Sequence, residues 1–398
     1  MTRREVLLLT AQAAFAQSRP SVPSSVNPSV EELIGSFESQ GDHRTGTDVD
    51  RISGDWLFDQ VRRAGLPPAR EIFSLNRVDP LAGSLTIGGR RIEGLPLFDC
   101  AFTDAKGISG RLGPLNSNAP IGIAEAPPNN ADTGPVAEVR RKSGHQAIVL
   151  VTRGAKPGLC PNNADDFLRP FGPPVLQVSS EDKDFLKEGA DAILVAAAKR
   201  SEVQAFNVTA IIPGFDRSLP PLIVMTPRSG WWSCASERGG GIVCWLALMR
   251  NLRTSAPARD ILFVASSGHE VGYLGIEAFV ADRPGIVKKA HAWIHFGANV
   301  GAAQQPSNTV QASDDEMENL EAAAMAKAGL NVDRRVPRGR IPGGEAGVVH
   351  RGGGRYLSII GGSALFHNRF DLGPAAIDPK AIATFAEVFT GVAQALST

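Results

Sequence analysis

The chain has 398 residues, and its 41 basic and 41 acidic side chains cancel. That balance argues against nucleic acid or an anionic membrane as partner, since either calls for a basic excess, and no apolar run approaches the roughly 20 residues of a membrane span. The length exceeds what one hydrophobic core usually serves, so two structural units are expected.

At the N-terminus, Arg3 and Arg4 precede an apolar stretch, and Ala14-Phe15-Ala16 reads as an A-x-A cleavage site. The pattern predicts a signal peptide over 1–16 and export, to the periplasm for a twin-arginine leader; a frayed first helix is the alternative. In an oxidising compartment Cys100, Cys160, Cys234 and Cys244 allow three pairings, which the sequence does not rank. Residues 17–30, rich in Ser, Pro and Asn, read as a linker. Apolar spacing predicts helices over 30–37 and 52–64, the second stopped by Gly65, Pro67 and Pro68. The polar loop between them carries His43, read as a surface histidine. From about 94 to 205, short β-like runs at 147–152, 175–178 and 192–197 alternate with Gly, Pro and Asn clusters, with a helix at 182–188 and a loop over 116–133. That stretch is read as a small β-rich domain inserted between an N-terminal helical part, 17–93, and a main domain, 206–398.

After Pro220, strands alternate with helices at 240–252, 274–281, 314–328 and 379–396, and a late strand falls at 356–360. The alternation implies a mainly parallel sheet covered on both faces, a three-layer α/β/α sandwich. Three strand-like runs, 222–225, 261–265 and 292–296, open the main domain. After the first come Arg228, Ser229, Trp231 and Trp232, then Glu237 and Arg238 ahead of three glycines; after the second come His269 and Glu270. The carboxyl ends of parallel strands line one crevice, so function is sought there. His269 ordinarily titrates near neutrality and suits general acid or base work; the bland reading is a buried hydrogen-bonding histidine. Arg228 with Trp231 and Trp232 suggests a wall that clamps a carboxylate and stacks an apolar group. Against this stands the reading that Arg228 and Arg238 form structural ion pairs with Glu237 and Glu270. His295, His350 and Glu345 are weaker candidates. Ser233 and Cys234 lack a Gly-x-Ser-x-Gly elbow, and Gly239-Gly240-Gly241 could hold an anion on helix N–H groups without being a dinucleotide fingerprint.

Taken together, the inserted β-domain, the Gly-rich helix start, the acidic turn and the late His-containing loop resemble the two-zinc aminopeptidase family. That family includes glutamate carboxypeptidase and glutaminyl cyclase, and its members often carry a protease-associated insert. The resemblance spans about 28–398. Asn207 to Gly214 is similar to the strand before the family's first metal motif, and His269 to Gly275 to its Glu-Glu-x-Gly-Leu-Leu-Gly. Glu237 to Gly241 sits where the family has Asp-Asp-Ala-Ser-Gly, and His367 matches its last histidine ligand.

Carried over residue by residue, the site is depleted. Thr226-Pro227-Arg228-Ser229 stands where the family has His-x-Asp-Ser, His269 replaces the general-base glutamate, and Gly297 falls where an aspartate ligand is expected. Glu237, Glu270 and His367 survive. Arg228 brings a cation that does not deprotonate, so two zinc ions are not favoured, and no cofactor is; a single zinc on Glu237, Glu270 and His367 stays open. The resemblance implies an aminopeptidase-like hydrolase of amide or peptide-like bonds, exported as the N-terminal pattern predicts, acting on a small or short peptide-like substrate, with a carboxylate where Arg228 would anchor it. His269, Glu270 and Glu237 would be catalytic, and Arg228, Trp231, Trp232, Arg238, His295 and Glu345 would bind substrate. The alternatives are a metal-free isomerase, cyclase or lyase, or a non-catalytic binding protein.

Overall fold

The strand Leu222–Pro227 sets the architecture in a computed structural model, which describes residues 28–128, 134–142 and 144–398. The signal segment expected over 1–16 lies outside the described residues. Along the strand, side chains alternate between faces. Leu222 and Val224 enter one core with Ile242, Trp245, Phe385 and Phe389. Ile223 and Met225 enter another with Ile276, Phe279, Trp293 and Val349. Both faces of the sheet are therefore covered, giving the expected three layers. Helices Val30–Glu38, Asp48–Arg63, Gly240–Leu252, Asp315–Lys327 and Pro379–Leu396 form the first outer layer. Leu274–Ala281, Ile286–Lys289 and Ala346–Arg351 form the second. No described helix is long and apolar enough to cross a membrane.

At the centre, Ile261–Ser266, Leu222–Pro227, Ala292–Phe296 and Tyr356–Gly362 lie side by side and parallel. Asp191–Ile212 and Ser307–Ala312 flank them antiparallel. The strand Asp191–Ile212 also pairs with Ala69–Ile87 from Ala69↔Thr209 to Ile87↔Ala192, with a register shift at Pro80. The far ends of these two strands join Arg90–Pro96, Val175–Ser179, Ala147–Thr152, Ile121–Ala126 and Ile108–Pro114 in a closed ring. Leu85, Leu112, Ile121, Val149, Leu176 and Leu194 fill it. The segment read as an insert over 94–205 thus shares two continuous strands with the main sheet, and the ring already includes Ser84 paired to Glu93.

Three local expectations are corrected. The part before 93 is not only helical, because Ala69–Ile87 is a 19-residue strand; its polar alternation and Pro80 conceal it, since proline is rare in a strand interior. The loop expected over 116–133 contains the strand Ile121–Ala126, which Pro120 and Pro127 disguise as turn sequence. The helix expected over 182–188 is a short 3-10 turn, Ser180–Phe185.

Gly240 lets the helix Gly240–Leu252 touch the next loop, for a Cβ there would collide with the Val300 carbonyl oxygen. Gly240→Ala is expected to cost about 1–3 kcal/mol in chemical denaturation. Gly391→Ala, in the helix Pro379–Leu396 with open space at its Cβ, should instead gain up to about 1 kcal/mol.

Candidate active site

The ends of the central strands deliver their polar residues to one place, but not in the roles expected. Arg228, just past Leu222–Pro227, turns away from the crevice. Its Nη1 donates to Asp50 Oδ1 at 2.7 Å and to the Asp50 carbonyl at 2.8 Å, and its Nη2 donates to the Phe206 carbonyl at 2.6 Å. Both partners are buried. Its guanidinium is therefore not offered to a substrate carboxylate. Ser229 is the hub: its hydroxyl accepts the Gly268 and His269 amides at 2.9 and 3.1 Å and donates to Glu270 Oε2 at 2.8 Å. Glu270 Oε1 accepts the Thr45 amide at 2.6 Å, so both of its oxygens serve loop anchoring.

Glu237 sits in a π-helical turn, Ala235–Gly239, ahead of the glycine-led helix. The anion at this turn is internal: Asp371 accepts the Ser236 and Glu237 amides, each at 2.9 Å. Arg238 donates through Nε to the Ser229 carbonyl at 2.7 Å, and its Nη2 lies 2.7 Å from Glu237 Oε1. That second contact is a charge pair without hydrogen-bond alignment. His367 donates from Nδ1 to the Pro161 carbonyl at 2.5 Å, which leaves Nε2 facing Glu237 Oε1 at 3.3 Å. Burial works to raise the Glu237 carboxyl, but Arg238 and then His367 outweigh it and hold it down to about 2. Asp371 has no cation so near, and burial pushes it up to about 6.

The open part of the site is a cleft of about 310 Å³ lined by His269, Tyr273, Asn299, Ile360 and Phe366, among others. A larger groove of about 800 Å³ shares Tyr273 and Gly344 with it. His269 stands in a turn between Gly268 and Gly272, and its Nδ1 lies 3.5 Å from Glu345 Oε1. Burial first, then the positive charge of Arg238, keeps His269 well below its usual range and hence neutral. Glu345, fully buried, accepts the Ser266 hydroxyl at 2.6 and 2.7 Å, and burial still pushes it up to about 7. His295 is bound to the Ser358 hydroxyl at 2.8 Å and is lowered to about 3 by burial and Arg238.

Other residues singled out from the sequence do not line this cleft, Trp231 and Trp232 instead lining a separate groove of about 500 Å³ with Asp42 and Arg44. Trp231 is buried against Phe98 and donates to Asn163 Oδ1, while Trp232 donates to the His367 carbonyl. His43 is fully buried, not at the surface, because its ring stacks on Phe37 at 3.8 Å. His350 bonds the Tyr356 hydroxyl. All four cysteines are free, buried thiols. Sequence reasoning missed Asp50, Asp371 and Asn299. The last has φ +58, a conformation shared nearby by Cys234, Tyr273 and His367; a left-handed non-glycine residue leaves no sequence signal.

The residues present do not fit a divalent ion. A guanidinium lies on the carboxylate oxygen that an ion would need, and Glu270 is bonded elsewhere. Among the described residues no group of three His, Cys, Asp or Glu side chains is arranged to hold one.

Solved structures share the fold at low identity. A zinc aminopeptidase from Bacillus subtilis is 18% identical with a TM-score of 0.75, over 92% of this chain and 93% of its own. The fold is that of the zinc aminopeptidases. A peptidase M28 precursor from Shewanella amazonensis is 16% identical with a TM-score of 0.72 over 93% of both chains. An aminopeptidase from Aneurinibacillus sp. strain AM-1 is 15% identical with a TM-score of 0.69 over 92% of both. No protein-family model matches the sequence, and no curated protein does.

Two stability measurements check this site. Arg228→Met leaves Asp50 buried and unpaired and should cost about 3–5 kcal/mol, most of it recovered in Arg228→Met/Asp50→Leu. Glu345, raised from 4.5 to about 7, keeps a proton in the folded state that the unfolded chain has lost. Its contribution is whole below about pH 4.5 and fades as pH rises through about 7. Glu345→Gln should remove that decline when denaturation curves are compared from pH 5 to 8.

Proposed function

We propose that this chain is a peptidase-like hydrolase of amide or peptide-like bonds that works by acid–base chemistry at His269 and Glu345, not through two zinc ions. The observation that carries the reading is a neutral imidazole on the wall of the cleft, 3.5 Å from a carboxyl that titrates near neutrality. With Glu345 ionised, His269 carries its proton on Nδ1 toward that carboxylate, and Nε2 is left to accept a proton from an attacking water. The imidazolium so formed is stabilised by Glu345 and returns the proton to the leaving nitrogen. Arg238, one layer behind, adds positive potential that favours the developing oxyanion. Glu237 and Glu270, expected as catalytic partners, act here as positioning residues, since their oxygens face Arg238, Thr45 and Ser229. The substrate class rests on analogy with the fold's peptidases, and the cleft volume suits a short substrate. Export would follow from the N-terminal pattern.

One observation favours a second reading, a non-catalytic binding protein: Arg228, Glu237 and Glu270 all have internal partners. Kinetics on aminoacyl anilides and N-acyl amides separates the two. Under the hydrolase reading His269→Ala lowers kcat by about 10²- to 10⁴-fold with little change in KM. The wild-type kcat/KM should climb through about pH 7 as Glu345 loses its proton, and Glu345→Gln should flatten that limb. Wild-type protein that binds these amides without turning them over would leave the binding reading standing.

A further inference from the structure

We propose that Arg238 is the resident cation of this site, filling with its guanidinium the place that Glu237 and His367 would otherwise offer to a divalent metal ion. The argument is independent of whether the cleft hydrolyses or only binds. Three buried polar atoms without a hydrogen-bond partner among the described residues meet at one point: Glu237 Oε1, His367 Nε2 and Arg238 Nη2. The carboxylate oxygen lies 2.7 Å from the guanidinium and 3.3 Å from the imidazole nitrogen. A carboxylate and an imidazole nitrogen aimed at each other make half of an ordinary zinc shell. Here the positive charge on that carboxylate oxygen comes from the chain.

The cation cannot swing aside. Arg238 Nε is tied to the Ser229 carbonyl at 2.7 Å, and the Ser229 hydroxyl is itself held by Gly268, His269 and Glu270. The side chain is fully buried, so water does not screen it. A divalent ion entering beside it would meet a fixed like charge at close range in a low-dielectric setting. Removing the guanidinium changes the donor set. Glu237 Oε1 and His367 Nε2 would then be left to each other at 3.3 Å, an O and an N donor to which water could add the remaining ligands of an ion.

The test uses the full chain as wild type, Arg238→Ala and Arg238→Lys, dialysed against Zn²⁺ or Co²⁺, with ions counted by elemental analysis and thermal unfolding followed with and without the ion. Wild type and Arg238→Lys, which keeps the positive charge, should take up no ion at this site and show no shift in Tm. Arg238→Ala leaves Glu237 buried and unpaired and should lose about 10 °C in Tm. With Zn²⁺ it should bind one ion per chain and regain most of that loss, and adding His367→Ala should abolish both effects. Wild-type protein that binds one ion and loses it in Glu237→Gln overturns the proposal. So does folded Arg238→Ala that takes up none. Should Arg238→Ala fold only with Zn²⁺ present, that recovery supports the proposal, and failure to fold with Zn²⁺ overturns it. Because no turnover is read, a failure of the hydrolase reading leaves this result unaffected.

Discussion

A carboxylate and a guanidinium buried side by side, Glu237 and Arg238, set the terms for everything around them. Either charge alone in that position would be far too costly, and the pair is tolerated only because the remaining polar atoms of both residues are engaged. Meeting that condition recruits four separate pieces of chain. The end of the strand Leu222–Pro227 supplies the Ser229 carbonyl, the loop before Pro374 supplies Asp371 and His367, the turn at Gly268 locks the Ser229 hydroxyl, and Asn299 donates its amide to the Glu237 carbonyl. The loops at the carboxyl ends of the strands are thereby welded into one network, and the rigidity of the cleft follows from the charge pair.

The same cation sets Glu237 apart from the other buried carboxyl groups. Arg238, in contact with Glu237, holds that carboxyl down to about 2, whereas burial pushes Asp371 up to about 6 and Glu345 up to about 7. Carboxyl groups in one site whose environments hold their pKa values apart are suited to different jobs. Arg228 takes no part in this sorting. It is closed off with Asp50, where it ties the helix Asp48–Arg63 to the sheet. The chain thus keeps two arginines near the crevice and confines the field of one to structure, so the potential that reaches His269 and His295 is that of Arg238.

The central strands were legible because each is an apolar run long enough to cross a doubly covered sheet, and their polar endings come together in the structure. The resemblance of the glycine-led helix and of His269 to Gly275 to the aminopeptidase pattern led to the right fold. What the sequence could not carry is direction. Arg228 looked like the site's cation because it stands in the motif that should hold a metal ligand, yet only the packing of the helix Asp48–Arg63 decides that it faces Asp50. Glu345 gained its importance from a loop that Gln311 pins through the Gly343 amide and carbonyl, a contact between stretches with no sequence relation. His43 was misread because a polar loop says nothing of Phe37 beneath it.

Backbone strain marks the same spot as the charges. Cys234, Tyr273, Asn299 and His367 all hold positive φ without being glycine, and such residues persist only where their surroundings over-determine them. Cys234 starts the turn that bears Glu237, His367 faces that carboxylate, Asn299 caps its carbonyl, and Tyr273 packs edge-on against His269. These four positions close around one buried ion pair and one neutral histidine, so the network holds the geometry of the cleft itself, with His269 on its wall and the buried Glu345 carboxyl 3.5 Å behind it.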